Sequence, residues 1–159
     1  MSIHSFSRRG VILAAAAVLS TPASRGFAAA GAEERQSLLR IAKDPGCGCC
    51  SAWADLAIAA GFRVQITDTG DYAGMKRAAE VPEKLWSCHT ARVGGYIVEG
   101  HVPFAAIRQV LEQRPDIRGI AVPGMPAGSP GMGGGVDATA DVIAWGGVAG
   151  DGRAFPLDG

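Results

Sequence analysis

Apolar and polar positions along this chain fall into short alternating and helical runs, separated by glycine, proline and aspartate. Leu38-Leu39-Arg40-Ile41-Ala42 reads as a first strand, and Lys43-Asp44-Pro45-Gly46 as the turn that follows it. From Ser51, the apolar residues Trp53, Leu56, Ala57 and Ala60 recur at helical spacing until Gly61 supplies a C-terminal stop, so a helix begins at the cysteines just before them. Phe62, Val64 and Ile66 alternate with Arg63, Gln65 and Thr67, the signature of a half-buried strand. Asp71 is the expected N-cap of a second helix carrying Met75, Ala78 and Ala79, closed by Val81-Pro82. Runs at 88–93 and 96–99 around Gly94-Gly95 read as a β-hairpin. Pro103 opens a third helix whose face is Phe104, Ile107, Val110 and Leu111, ended by Pro115. Beyond Ile120 come loop sequences, Val122-Pro123-Gly124-Met125-Pro126 and Gly128-Ser129-Pro130-Gly131-Met132, then Gly133-Gly134-Gly135. A late edge strand is expected at 142–145, with 153–155 pairing to it.

The resulting order, β-α-β-α-β-β-α, predicts an α/β domain of thioredoxin-like connectivity, with a Gly/Pro/Met-rich C-terminal loop and tail. The first βα turn of such domains is where a Cys-x-x-Cys sits. Ahead of it, Arg8-Arg9 without acids, an apolar run at 11–19 and Ala28-Ala29-Ala30 form the three regions of a bacterial signal peptide over residues 1–30. That run is shorter than the roughly 20 residues of a membrane span, so no span is expected after signal removal. Ser5-Phe6-Ser7 before the arginines suggests the twin-arginine route, with Gly10-Val11 a loose fit and the general secretory route the alternative. An exported, periplasmic protein is therefore expected: 31–37 as linker, 38–133 as the single metal-binding domain, 134–159 as tail.

Composition adds little beyond exclusion. The signal holds three of fifteen basic residues and none of the fifteen acidic ones, which leaves the mature chain mildly acidic. Its lysines and arginines are scattered without interleaved aromatics, so nucleic acid is not an expected partner. No P-loop, dinucleotide fingerprint, nucleophile elbow or paired-carboxylate pattern is present.

The candidate chemistry is sulfur. Cys47, Cys49 and Cys50 stand within four positions at a helix N-terminus, where unpaired N–H groups and the helix dipole favour thiolate. An oxidising compartment would normally pair cysteines, but the loops these three could close are short, making them poor structural staples. Three adjacent sulfurs can surround one or more soft ions, and Cu(I) is the ion that thiolates and thioethers select. Zinc fits less well, because the second ligand pair of a structural zinc site is missing. In a thioredoxin-like arrangement the start of the third strand faces the first βα turn, so Cys88 can join the cluster; otherwise it is a small buried hydrophobe. His89 and His101, the histidines outside the signal, are candidate ligands or structural residues. Strand alternation sets residue 89 on the face opposite 88, so Cys88 is preferred of the two. Met125 and Met132 offer thioethers, or else cap the core beneath their loop. An alternative use of the same atoms is thiol–disulfide exchange, with Cys47 attacking and Cys50 resolving, in which Cys49 has no role.

Four ordered blocks resemble a known family: Lys43-Asp44-Pro45-Gly46-Cys47-Gly48-Cys49-Cys50, Ser87-Cys88-His89-Thr90-Ala91, the segment 95–103 and the segment 122–132. They are similar to the "domain of unknown function 411" family, which includes CopG-type proteins of bacterial copper resistance, over roughly residues 38 to 133. The resemblance implies an exported thioredoxin-like protein with a cysteine-based, polynuclear-capable copper site. It carries the ligand role onto Cys47, Cys49, Cys50 and Cys88, with His89, His101, Met125 and Met132 in matched blocks as secondary candidates. Copper tolerance, delivery and copper redox chemistry are the implied roles, with copper ions and another exported copper protein as partners.

Overall fold

The computed structural model describes residues 38–158, so the expected signal peptide and linker lie outside the described residues. Among the described residues, seven strands form one mixed sheet in the order β2-β1-β3-β4-β5-β6-β7. The strands are β1 (Leu38–Lys43), β2 (Arg63–Asp68), β3 (His89–Val93), β4 (Tyr96–Glu99), β5 (Gly119–Ala121), β6 (Ile143–Trp145) and β7 (Arg153–Ala154). The helices are α1 (Gly48–Ala59), α2 (Tyr72–Ala78) and α3 (Phe104–Gln113). Elements up to α3 thus follow the expected β-α-β-α-β-β-α order.

Hydrophobic spacing explains the main layer. Trp53, Ala54 and Ala57 of α1 and Phe104, Ile107 and Val110 of α3 bury against Leu39, Ile41, Ala91, Val98 and Ile120. Trp53 and Phe104 bring the two helices together at a ring separation of 5.3 Å. Each large apolar side chain buried here contributes about 1.5–3 kcal/mol. A smaller cluster, Ala79, Val81, Leu85, Ile97, Ala121 and Trp145, lies apart from this core.

Several sequence expectations need correction. β2 forms as expected, but only Val64 is half-buried within it and Ile66 is 45% exposed. It is the outermost strand, paired to β1 alone, and lacks a second neighbour to cover its side chains. α2 is capped by Asp71, which accepts from Gly74 N at 2.8 Å, yet it ends at Ala78 rather than at Val81-Pro82. Its buried residue is Lys76, while Ala78 is exposed. β5 was not legible, because three residues are too few to display a period. The late strand and its partner do form: β6 pairs antiparallel with β5 and with β7, and Val142 and Ala144 enter the main core.

Lys76 has a partner of its own. Its ammonium pairs with Glu99 and donates to Thr90 Oγ1 at 3.3 Å, and all three side chains are buried. Thr90 stands opposite Glu99 in the β3/β4 register and donates to Glu99 Oε2 at 2.6 Å. Burial pushes the Lys76 pKa down and the Glu99 pKa up, and their mutual attraction opposes both shifts.

Removing one charge strands the other. Lys76→Met should lower the unfolding free energy of the metal-free protein by about 3–5 kcal/mol in urea titration, whereas Lys76→Met with Glu99→Leu should recover most of it. A single-variant loss below about 1 kcal/mol would show that the pair is not buried as described.

Candidate metal centre

The turn after β1 is built to deliver sulfur. Asp44 Oδ1 accepts from Gly46 N at 2.8 Å and Asp44 O from Cys47 N at 3.0 Å, folding the chain back on itself. Cys47 is the N-cap of α1 without a side-chain capping bond, so Cys49 and Cys50 lie in the first helical turn.

Antiparallel pairing of β1 with β3 sets Lys43 opposite His89. The residue before β3, Cys88, therefore comes back beside the turn that follows β1. The sulfurs of Cys47, Cys49, Cys50 and Cys88 all lie within 4.8 Å of one another. Cys47 and Cys49 sulfurs are 3.5 Å apart, and Cys50 Sγ is 3.7 Å from Cys88 O.

Cys47 and Cys50 are joined as a disulfide, and Cys49 and Cys88 are free. This corrects the expectation that short loops make poor staples. The first helical turn holds the two Cα atoms 5.4 Å apart, within the span a disulfide bridges.

A second group shares Cys88. Its sulfur lies 2.9 Å from His101 Nε2 and 3.4 Å from His89 Nδ1, and the three donors lie within 4.8 Å of one another. Both residues of the pair thus reach one group, where only one was expected to, and strand alternation does not bind Cys88, which precedes the first residue of β3. His101 Nδ1 is 2.6 Å from Pro130 O, which can only accept, so the proton sits on Nδ1. Nε2 then carries a lone pair toward Cys88. A carbonyl fixing the distal N–H is the usual support of a metal-binding imidazole. His89 packs tilted against Trp53 with ring centroids 4.6 Å apart, and its Nε2 is buried with no hydrogen-bond partner.

Charge in this enclosure is disfavoured. Burial, and next the neighbouring Cys49, pushes the Cys88 thiol up to about 12. Burial, then His101 and Lys76, holds the His89 pKa well below the ordinary imidazole range, and burial lowers that of His101. Both rings are neutral at physiological pH, the form that ligates metal. With the Cys47–Cys50 pair reduced, the donor set fits copper: four sulfurs and two neutral imidazoles.

The loop 122–132 covers this region. Gly131 adopts φ +80°, and a Cβ there would fall 2.8 Å from Trp53 N and 3.1 Å from Cys49 O, so the loop rests on the first two turns of α1. Met132 is half-buried in that loop. Met125 is 55% exposed, which corrects the core-capping expectation for it. It lines a cavity of about 370 Å³ together with Cys47, Cys88, Tyr72, Trp86 and Asp44.

Sequence reasoning missed Ser87 and Glu99 as supports. Glu99 Oε1 accepts from Ser87 N at 2.7 Å, and Ser87 Oγ donates to Gly124 O, so the residue before Cys88 is held on both sides. A glutamate ending an otherwise apolar run, Tyr96-Ile97-Val98-Glu99, was the available signal.

The comparisons with known proteins agree on one group. Residues 85–132 match the family described as "Protein of unknown function, DUF411". Two solved structures of "Copper resistance protein copG" are similar to this chain. Form 1 is 37% identical, covering 76% of this chain and 96% of that one, with a TM-score of 0.66. Form 2 is 36% identical, covering 77% and 98%, with a TM-score of 0.67. The curated proteins contain no match. The chain is an α/β protein with a cysteine and histidine cluster suited to copper. It belongs to the DUF411 family of CopG-like copper resistance proteins.

The raised Cys88 pKa sets its reactivity. In metal-free protein at pH 8, alkylation of Cys88 by iodoacetamide should be about a hundredfold or more slower than in the unfolded chain, and should accelerate as pH rises. Peptide mass spectrometry of timed reactions measures this; labelling at the unfolded rate would contradict it.

Proposed function

We propose that this protein is an exported, periplasmic copper-binding protein serving copper tolerance or delivery. It holds Cu(I) through Cys47, Cys49, Cys50 and Cys88 in a site able to share bridging sulfurs among several ions. His89 and His101 are secondary ligands, and the 38–133 unit is read as thioredoxin-like with a tail at 134–159. The observation that carries this reading is the convergence of Cys88 on the Cys47, Cys49 and Cys50 turn. Among the described residues no helix is long and apolar enough to cross a membrane.

Copper loading first requires an external dithiol reductant, which supplies the two electrons and two protons that open the Cys47–Cys50 disulfide to thiols and is itself oxidised to a disulfide. Each thiol that then binds Cu(I) releases one proton. Electrons do not otherwise move, and both imidazoles ligate without proton loss. Run in reverse from Cu(II), two ions and the dithiol would yield two Cu(I), the disulfide and two protons, which is the form copper redox activity would take.

The bonded pair also supports a second reading, thiol–disulfide exchange. Cys47 lines the cavity whereas Cys50 is fully buried, as attacking and resolving sulfurs would be. That reading predicts metal-free reduction of a model disulfide that survives Cys49→Ala.

Anaerobically reduced mature protein should bind at least one Cu(I) in competition with a chromophoric chelator. Cys88→Ser should weaken binding about tenfold or more. Because Cys88 is a thiol at neutral pH, apparent affinity should rise with pH, by up to about tenfold per unit for each proton released. No binding above background, or an unchanged affinity in Cys88→Ser, refutes the copper reading.

A further inference from the structure

We propose that Met125 is the entry ligand of the copper site, taking Cu(I) at the cavity mouth and passing it to Cys47 and Cys88. The inference rests on the copper reading above. It begins from access. Cys50, His89 and His101 are fully buried, and of the three half-exposed cysteines two, Cys47 and Cys88, line one cavity, a route by which an ion from outside meets sulfur. Met125 and Asp44 line that same cavity, and both are exposed. A carboxylate there favours approach of a cation, and a thioether selects the soft one.

Met125 is also held in place, unlike a methionine on a loose loop. Gly124 N donates to Trp86 O at 3.2 Å, Ser87 Oγ donates to Gly124 O, and residues 87 and 124 form a parallel bridge. The clamp therefore joins the residue before Met125 to the residue before Cys88. A methionine this exposed gains much less from burial than a core one. Its backbone is anchored at the rim of a cavity that two cysteines also line, which gives the thioether a use.

The chemistry runs in one direction. A donor complex exchanges its ligand for the neutral thioether, and the thioether then yields Cu(I) to a cysteine, which loses its proton to solvent. Copper stays Cu(I) throughout. Thiolate is charged and binds the ion more strongly than the thioether, so transfer goes inward. The thioether does not titrate, so capture at the mouth needs no deprotonation.

The test is stopped-flow transfer of Cu(I) from its bicinchoninate complex to anaerobically reduced full-length mature protein. In Met125→Leu, which keeps size and apolarity but removes sulfur, the transfer rate should fall about tenfold. The number of ions held at saturation should stay that of the unsubstituted protein. Met125→His, which restores a copper ligand, should recover rate where Met125→Leu does not. Loading of Met125→Leu at the unsubstituted rate overturns the entry role. So does an equal loss of rate and equilibrium affinity, which would make Met125 a resident ligand. Failure of the unsubstituted protein to bind Cu(I) at all instead refutes the copper reading, and the entry role with it.

Discussion

The antiparallel register that places Lys43 opposite His89 determines where every sulfur of the site lies. β1 runs into the turn carrying Cys47, Cys49 and Cys50, and β3 starts one residue after Cys88, so pairing of the two strands brings both ends to the same place. A one-residue slip would exchange the faces of β3. A two-residue slip would keep the faces but move Cys88 by about 7 Å along the strand. The donors lie within 4.8 Å of one another, so neither slip leaves a shared site.

The register of β3 against its other neighbour, β4, is enforced partly by polar contacts. Thr90 faces Glu99 across the hairpin, Lys76 closes on Glu99 from α2, and Glu99 holds the amide of Ser87. Desolvating such a pair costs about as much as its attraction returns, so its net stabilisation is small compared with an apolar replacement. The apolar core would accept several registers of small residues such as Ala91 and Thr90. A buried carboxylate with three donors accepts one, since any slip leaves a charge and an amide unpaired.

Much of this was readable in the sequence, for identifiable reasons. Trp53, Leu56 and Ala57 keep one helical face, Asp71 has the side chain that caps a helix, and Gly94-Gly95 permits a tight hairpin; each acts through local chemistry. The meeting of Cys88 with the cysteine turn was readable only through topology. Elements whose identity depends on neighbours were not. β5 is three residues defined by strands on both sides, Lys76 looks like any surface lysine until Glu99 is placed beside it, and Cys88 escapes the alternation of β3 because it lies outside the strand. The exposure of Met125 likewise follows from where Gly124 is bridged, not from the local glycines and prolines.

The remaining constraint on the site is charge. Two like charges 4 Å apart repel by about 4 kcal/mol even in the moderately polar surroundings of a protein surface. Four thiolates within 4.8 Å would multiply that repulsion over six pairs, so the metal-free site cannot hold them all. Three forms relieve it. Protonation does so at Cys88, whose thiol stays neutral far above physiological pH. Disulfide formation does so at Cys47 and Cys50, and leaves two free thiols. Soft monovalent cations do so by matching each negative sulfur with a positive ion, while the two neutral imidazoles add donors without adding charge. Oxidation of the pair and occupation by copper are thus competing answers to one electrostatic problem, which is why a single cluster of cysteines supports both a copper reading and a disulfide reading.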